Sequence, residues 1–141
     1  KNNIILVEDS AQGIGAFNRG SHAGSWGIGG CLSFYPAKVT GGIGDGGAII
    51  TNNDNLAEFA RSVRDHGRGP TQNAVNWGRN SRLDSLNARV VLERLRKINL
   101  LIDKRRNLAE IYFDNVLDMN LSVHFLISFL KFSKSGFTSL T

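Results

Sequence analysis

The sequence predicts an α/β fold, and three observations lead to that prediction. Ile4–Val7 is a short run of apolar, mostly β-branched residues, which is typical of a strand buried on both faces of a sheet. Cys31 and Leu32 lie in a second strand-like run. Farther along the chain, four apolar residues recur at the spacing of one helix face: Leu56, Phe59, Ala60 and Val63. Strands followed by such a helix favour a sheet with helices packed against it.

Residues 13–30 form a glycine-rich segment between the two predicted strands. Their seven glycines are a density that few helices tolerate, so we expect a loop with short strand and turn pieces. Phe17 and Trp26 are the expected packing anchors of this loop. His22 lies in its polar part, with no second histidine or cysteine at ligand spacing. We therefore expect His22 to be exposed rather than bound to a metal.

The amphipathic helix has recognisable ends. Asn53 or Asp54 can cap its N-terminus, and Gly67 is expected to end it in a left-handed conformation. Residues 67–80 have neither a helical nor a strand period, which indicates a loop, and long loops in compact domains are often functional. From Ser81 to about Leu117 the apolar spacing predicts helix again.

Chemically distinctive residues follow both predicted strands. Asp9 comes directly after the first strand, and Lys38 follows the second. Ligands of open α/β sheets bind at the carboxyl ends of strands. Lys38 is either a solvated surface lysine, as most lysines are, or an amine that forms a Schiff base with a carbonyl cofactor. A lysine of that kind and a carboxylate facing a pyridinium nitrogen are the minimal protein contribution to pyridoxal phosphate chemistry.

The glycine run after Lys38 also matches a dinucleotide-binding fingerprint, through Gly42, Gly44 and Gly47. That fingerprint requires a helix after the glycines, whose N-terminus holds the pyrophosphate. Here the next residues, Ala48–Thr51, are β-type. We therefore expect a turn between two strands, and a nicotinamide site is the weaker interpretation.

Four motifs together resemble the DegT/DnrJ/StrS family of pyridoxal-phosphate-dependent sugar aminotransferases. In chain order they are V-E-D-S-A-Q, G-S-W-G, S-F-Y-P-A-K and G-D-G-G-A-I-I-T-N, and the similarity runs over about residues 4–117. The resemblance implies part of a fold-type I large domain, a mixed sheet flanked by helices, and a chain that is a fragment of the enzyme.

The resemblance also implies a role for each matching residue. Lys38 would hold pyridoxal 5'-phosphate covalently and, once displaced by substrate, carry a proton. Asp9 would keep the ring nitrogen protonated, and Gln12 would hydrogen-bond near the ring hydroxyl. Ser33 would bind the cofactor phosphate. Asn80, in the G-x-N-x-R-L-D segment, would reach the cofactor phosphate of a neighbouring subunit in a homodimer.

The implied reaction moves an amino group from an amino acid, usually glutamate, to a keto sugar carried on a nucleotide, as in polysaccharide or deoxyamino-sugar biosynthesis. Family members commonly have asparagine directly after the lysine, whereas this chain has Val39 and Thr40, which leaves substrate tuning open. A dehydratase or cyclitol aminotransferase of the same family, a nicotinamide-dependent oxidoreductase and an inactive truncated remnant are the alternatives. The fragment alone is expected to be inactive.

The resemblance divides the chain into three parts. Residues 1–97 are expected to be the C-terminal part of the cofactor-binding large domain, and residues 98–118 a long helix leading toward a small domain. Residues 119–141 are rich in Ser, Phe and Leu and do not resemble the family's small domain, so we expect a frameshifted or truncated tail.

Composition restricts the partners. The formal net charge of +5 is mild and spread along the chain, and no nucleic-acid-binding motif is present, which favours anionic small substrates. No apolar run is long enough to span a membrane. Cys31 is the only cysteine, so no intrachain disulfide can form; we expect Cys31 to fill the core and the protein to be cytoplasmic.

Overall fold

A computed structural model describes residues 3–118. It contains both strands and helices, which confirms the predicted α/β class. In chain order the elements are β1 (Val7–Asp9), β2 (Phe17–Asn18), β3 (Ser21–His22), β4 (Gly29–Ser33), β5 (Gly47–Ile50), α1 (Asp54–Arg64), α2 (Ser85–Arg96) and α3 (Ile98–Asp118). The predicted tail of residues 119–141 lies outside the described residues.

The main sheet is mixed, with the strand order β1-β4-β5. β1 runs parallel to β4, with Asp9 opposite Cys31, and the pairing extends one residue further because Ser10 N–H donates to Cys31 C=O at 3.0 Å. β4 is antiparallel to β5, with Ser33 opposite Gly47. β5 directly follows the glycine run, so the expected turn between two strands is confirmed.

The first strand differs from its prediction. It covers Val7–Asp9 rather than Ile4–Val7, and β4 is its one paired neighbour in the part of the chain that the structure describes. Ile4 is 79% exposed and Val7 is 63% exposed. The prediction of burial on both faces is therefore wrong for this chain, because no described element covers the apolar side chains of this edge segment.

The glycine-rich segment forms a small hairpin rather than a packed anchor. β2 and β3 pair antiparallel, with Phe17 opposite His22. Phe17 is 58% exposed and Trp26 is 47% exposed, so neither is the anchor that was predicted. His22 is half-buried instead of exposed: its Nε2 accepts the Gly15 N–H at 2.9 Å, and its Nδ1 lies 2.5 Å from the Ala23 carbonyl oxygen. This bonding makes His22 a structural residue of the hairpin.

Helix α1 begins as predicted, because Asn53 Oδ1 accepts the Leu56 N–H at 2.9 Å. It ends at Arg64, and the left-handed turn that follows is shared by His66 (φ 61°) and Gly67 (φ 73°). Gly67 cannot carry a side chain here, since a Cβ would lie 1.8 Å from the Asn76 carbonyl oxygen. The sequence thus predicted the end of the helix to within two residues of its C-cap, Asp65, but did not predict that His66 would share the left-handed turn.

The predicted apolar face of α1 is only partly buried: Leu56, Ala60 and Val63 are half-buried, whereas Phe59 is 54% exposed. The most buried residue of the helix is the polar Ser62, at 9% exposure. The reason is that the loop of residues 67–80 folds back onto the helix, where Asn76 Nδ2 donates to Ser62 Oγ at 3.0 Å. Backbone bonds close this loop, including His66 N–H to Arg79 C=O at 3.0 Å.

The predicted helical stretch from 81 to 117 is two helices. Asp84 ends the non-helical part because its Oδ1 accepts the N–H groups of Leu86 and Asn87, at 2.9 and 3.3 Å. Lys97 caps α2, and α3 begins at Ile98. Within the described residues, those up to Ile98 form one compact unit, and those from Asn99 to Asp118 belong to a second one. No helix among the described residues is long and apolar enough to cross a membrane.

Cys31 is exposed on β4, so the prediction that it fills the core is wrong. The described core is small: Phe34 and Val91 are its buried hydrophobic residues, at 6% and 3% exposure. Polar residues share the interior, and Thr40 and Asn87 are 0% and 4% exposed. Both of these polar residues lie close in sequence or in space to the segment between β4 and β5.

Candidate functional site

The carboxyl ends of β1 and β4 meet at one edge of the main sheet because the two strands are parallel and adjacent. Asp9 is the last residue of β1, and Ser33 is the last residue of β4. Gln12 lies in the turn after β1, and Lys38 lies in the segment after β4. The topology therefore brings the segments that carry four of the five predicted site residues to the same edge.

Asp9 uses one carboxylate oxygen to hold its own turn. Its Oδ1 accepts the Ala11 N–H at 3.1 Å, and its side chain is exposed. Among residues 3–118 no hydrogen-bond donor meets Oδ2, so the acceptor capacity of this oxygen is intact. Gln12, three residues further along the same turn, is exposed as well.

Ser33 is half-buried, and its Oγ accepts the Tyr35 N–H at 3.3 Å. A hydroxyl that accepts one bond still has a proton to donate. Ser33 can therefore stabilise the backbone turn after β4 and donate to an anion at the same time.

Lys38 lies five residues beyond the end of β4, in a turn rather than directly at the strand end. Its N–H donates to Tyr35 C=O at 2.9 Å, and its C=O accepts the Gly41 N–H at 3.0 Å. The side chain is half-buried, and its amine has no ion-pair or hydrogen-bond partner within the described range of the chain. The backbone at Lys38 is thus tied down while the amine remains open to a ligand.

Asn80 is not brought to this edge by contacts within the chain. It is exposed, its Oδ1 accepts from Arg82 Nε at 3.1 Å, and its backbone pairs with Asp65 after α1. The prediction for Asn80 concerned a neighbouring subunit, which a single chain does not contain, so this assignment stays a prediction.

The donor set at the sheet edge fits pyridoxal phosphate. An amine suits an aldehyde, a carboxylate suits a protonated pyridine nitrogen, an amide suits a ring hydroxyl, and a serine hydroxyl suits a phosphate. Lys38, Asp9, Gln12 and Ser33 supply these groups in that order. Among the described residues no cluster of three or more potential metal ligands exists.

Glu8 is a residue of this region that the sequence interpretation did not single out. Its carboxylate accepts three backbone N–H groups of the glycine-rich segment, from Gly24 at 2.7 Å, Trp26 at 2.6 Å and Gly27 at 2.8 Å. Partial desolvation raises the pKa of Glu8, but these three bonds and the nearby His22 lower it by more, so the pKa lies below its ordinary value. A charged residue at a strand end before a glycine-rich loop was the available signal, because loop N–H groups need acceptors.

Two cavities are present among the described residues. The one of about 610 Å³ is lined by Leu32 of β4, residues 45–49, α1 and residues 81–83, with Arg61, Arg64 and Arg82 around it. The other, of about 590 Å³, lies between α1 and the loop of residues 67–80. Neither is lined by Asp9, Gln12, Ser33 or Lys38.

Comparison with known proteins points to one family. The model of the DegT/DnrJ/EryC1/StrS aminotransferase family matches residues 1–128. The dTDP-3-amino-3,4,6-trideoxy-alpha-D-glucose transaminase of Micromonospora megalomicea subsp. nigra is 38% identical over 117 residues, which is 82% of this chain and 31% of that protein.

Solved structures agree with the sequence match. A DegT DnrJ EryC1 StrS aminotransferase from Brucella abortus has a TM-score of 0.73 and 43% identity, over 81% of this chain and 31% of that one. NtdA from Bacillus subtilis, solved with bound cofactor PMP, has a TM-score of 0.65 and 33% identity, over 82% of this chain and 26% of that one. The chain spans about a third of the length of the curated relatives it matches.

Proposed function

Because the chain belongs to the DegT/DnrJ/EryC1/StrS aminotransferase family, we propose that the complete protein transfers an amino group from an amino acid to a nucleotide-linked keto sugar. Glutamate is the expected donor. The observation that carries the proposal is the family match over residues 1–128, in a chain whose amine and carboxylate follow adjacent parallel strands. The transaminase relative named for a dTDP-linked amino sugar supports the substrate class.

Pyridoxal phosphate is the cofactor of the family, and the residues at the sheet edge fit it. When bound, the cofactor supplies an electron sink that stabilises negative charge on the reacting substrate carbon. Asp9 would hold the proton on the ring nitrogen with Oδ2, the oxygen that no described donor meets. Gln12 would hydrogen-bond near the ring hydroxyl, and Ser33 would donate to the phosphate.

Lys38 has two tasks in this proposal. Its amine would hold the cofactor at the aldehyde group, and the same amine, once released, would take up and give back the proton that moves at the substrate carbon. A half-buried side chain on a backbone held at both its N–H and its C=O suits both tasks, because the amine can swing while its origin stays fixed.

A homodimer in the cytoplasm completes the proposal. Asn80 would bind the cofactor phosphate of the partner subunit, since it is exposed at the end of the loop of residues 67–80 and its Nδ2 has no hydrogen-bond partner among the described residues. Trp77, which is 98% exposed on the same loop, offers the kind of aromatic contact that dominates protein interfaces. A free, exposed Cys31 suits a reducing compartment. Sedimentation of the complete protein measures the oligomeric state.

Residues 1–141 alone are not expected to catalyse the reaction. They match about a third of the length of their relatives, and the apolar residues before β1 are exposed.

The direct test of the proposed function uses the complete protein with pyridoxal phosphate and glutamate. We expect a visible absorbance of the lysine-bound cofactor, its loss when glutamate is added without sugar, and amino transfer when a nucleotide-linked keto sugar follows. Lys38→Ala should abolish the transfer. Turnover of a nicotinamide cofactor instead, or amino transfer that survives Lys38→Ala, would contradict the proposal.

A further inference from the structure

The segment that carries Lys38, residues 34–46, is a closed loop between β4 and β5, and we refer to it as the Lys38 loop. Its base is held by two backbone bonds, from Phe34 N–H to Gly46 C=O at 2.8 Å and from Gly42 N–H to Phe34 C=O at 2.7 Å. Thr40, between Lys38 and Gly42, is fully buried. The loop is therefore a packed structure, and the part from Gly41 to Asp45 is held by α2.

Asn87 of α2 is the main contact. Its Oδ1 accepts the Ile43 N–H at 2.9 Å, and its Nδ2 donates to Gly44 C=O at 3.2 Å and to Asp45 C=O at 3.1 Å. Asn87 is 4% exposed. One buried amide thus hydrogen-bonds to backbone groups of three consecutive residues of the Lys38 loop, although it lies more than 40 residues away in sequence.

Two further observations show how closely the helix and the loop fit. A Cβ on Gly42 would lie 1.7 Å from Asn87 Oδ1, so the loop backbone is pressed directly against the amide. Two turns further along α2, Arg94 Nη1 donates to the Gly41 carbonyl oxygen. Arg94 is exposed, so this hydrogen bond holds the same loop from the protein surface.

We propose that Asn87 and Arg94 are positioning residues, which fix the Lys38 loop and thereby the direction of the Lys38 amine. The inference rests on the proposed function, in which that amine binds the cofactor. A reactive group gains from being held in one geometry by neighbours whose own positions are fixed. Asn87 provides this support from the interior, and Arg94 provides it from the surface.

The first experiment compares Asn87→Ala with Val91→Ala in the complete enzyme. Val91 is 3% exposed on the same helix and has no hydrogen bond to the Lys38 loop, so it controls for loss of packing. Both variants should lower the melting temperature. Only Asn87→Ala should speed hydrogen exchange at the Ile43 amide, and weaken pyridoxal phosphate binding by about tenfold or more.

The second experiment compares Arg94→Ala with Arg89→Ala, which keeps the test valid if Asn87→Ala does not fold. Arg89 is exposed on α2 and pairs with Glu93 at 2.9 Å, so it matches Arg94 in type and location without touching the loop. Neither change should shift the melting temperature appreciably. Arg94→Ala should weaken pyridoxal phosphate binding by roughly threefold or more, and Arg89→Ala should leave it unchanged.

The outcomes separate the inference from the proposed function. If the wild-type protein does not bind pyridoxal phosphate at Lys38, the proposed function fails, while hydrogen exchange at Ile43 still reports whether Asn87 holds the loop. If the wild type binds it at Lys38 and neither Asn87→Ala nor Arg94→Ala weakens binding relative to its control, the inference is overturned and the proposed function stands.

Discussion

At the scale of single residues, the proposed function gives Asp9 a part in both the fold and the chemistry. Its Oδ1 accepts the Ala11 N–H, and no described donor meets Oδ2. In Asp9→Asn the amide oxygen can keep the bond to Ala11, so we expect a normal melting temperature. A neutral amide cannot hold the ring nitrogen protonated, so turnover should fall by about a hundredfold or more while the cofactor still binds.

Asp9→Ala is the matched variant, because it removes the turn bond as well and should lower the melting temperature. Steady-state kinetics and cofactor titration of both variants decide the question. Near-normal turnover in Asp9→Asn would mean that Asp9 is only a turn residue.

Glu8 makes the stability of the folded protein depend on pH. Its pKa in the folded protein lies below its value in the unfolded chain, so its stabilising effect is complete above the unfolded pKa of about 4.3 and is lost as the pH falls through the folded value. Both carboxylate oxygens are used, since Oε1 accepts the Trp26 and Gly27 N–H groups and Oε2 accepts that of Gly24, and an amide offers only one such oxygen. Glu8→Gln should therefore lower the melting temperature of the complete protein by several degrees at pH 7.

The difference between wild type and Glu8→Gln should shrink as the pH falls through the lowered pKa that Glu8 has in the folded protein, because both side chains are then neutral. Glu58→Gln is the control, since Glu58 is exposed on α1 and accepts no loop N–H groups. Melting curves across this pH range make the comparison. A difference that is the same at every pH would show that ionisation of Glu8 is not what holds the loop.

At the scale of elements, α2 matters because it contacts the Lys38 loop and because its start is marked in the sequence. Asp84 fixes the start of α2, and with it the register at which Asn87 reaches the loop. Asp84→Ala should destabilise the protein by about 1 kcal/mol, the usual effect of losing an N-cap. Asp84→Asn keeps an oxygen acceptor and should cost much less, and a denaturant titration of both variants measures the difference.

If Asp84→Ala and Asp84→Asn destabilise equally, the cap is not the source of the effect. The cap also explains why the sequence interpretation started the helix too early. The apolar spacing already includes Leu83, so periodicity alone extends the helix before Asp84, the residue whose side chain caps its start.

The prediction from sequence succeeded where a local signal was sufficient. The strand after the glycine run and the Asn53 cap were both marked by short-range chemistry. It failed where contacts came from far along the chain: the burial of Ser62 depends on Asn76, and the role of Asn87 depends on residues more than 40 positions earlier. Those contacts have no periodic trace in the sequence.

The edge of the sheet shows a second limit of prediction from sequence, because here the contacts that composition leads one to expect are missing from the described residues. Ile4–Val7 has the composition of a fully buried strand, and the chain leaves it exposed. Composition reports what a segment needs as neighbours, not whether the chain at hand contains them. For the site, motif resemblance placed Lys38, Asp9, Gln12 and Ser33 on adjoining segments, whereas Glu8 emerged only from its three hydrogen bonds.

At the scale of the whole molecule, residues 1–141 expressed alone should associate and bind pyridoxal phosphate weakly or not at all. Ile4, Ile5, Leu6 and Val7 are between 53% and 79% exposed. Burying one such side chain is worth roughly 1.5 to 3 kcal/mol, so leaving several in water is comparable with the stability of a typical domain. An exposed apolar edge strand is also a recognised route to aggregation.

Size-exclusion chromatography, a thermal melt and a cofactor titration of residues 1–141 check this prediction. Ile5→Lys should reduce the association, because a charge on an exposed edge segment opposes pairing between chains. A monomeric chain with a cooperative melt, stoichiometric cofactor and measurable amino transfer would show that these residues form a sufficient catalytic unit.

The central claim is that Lys38 is the residue that holds pyridoxal phosphate, and one measurement tests it most directly. The complete protein is loaded with pyridoxal phosphate, reduced with borohydride and digested, and the labelled peptide is identified by mass spectrometry. We predict the label on Lys38, in the peptide that follows β4, and no label in Lys38→Ala. A stoichiometric label on another lysine, or none on the loaded wild-type protein, would contradict the account.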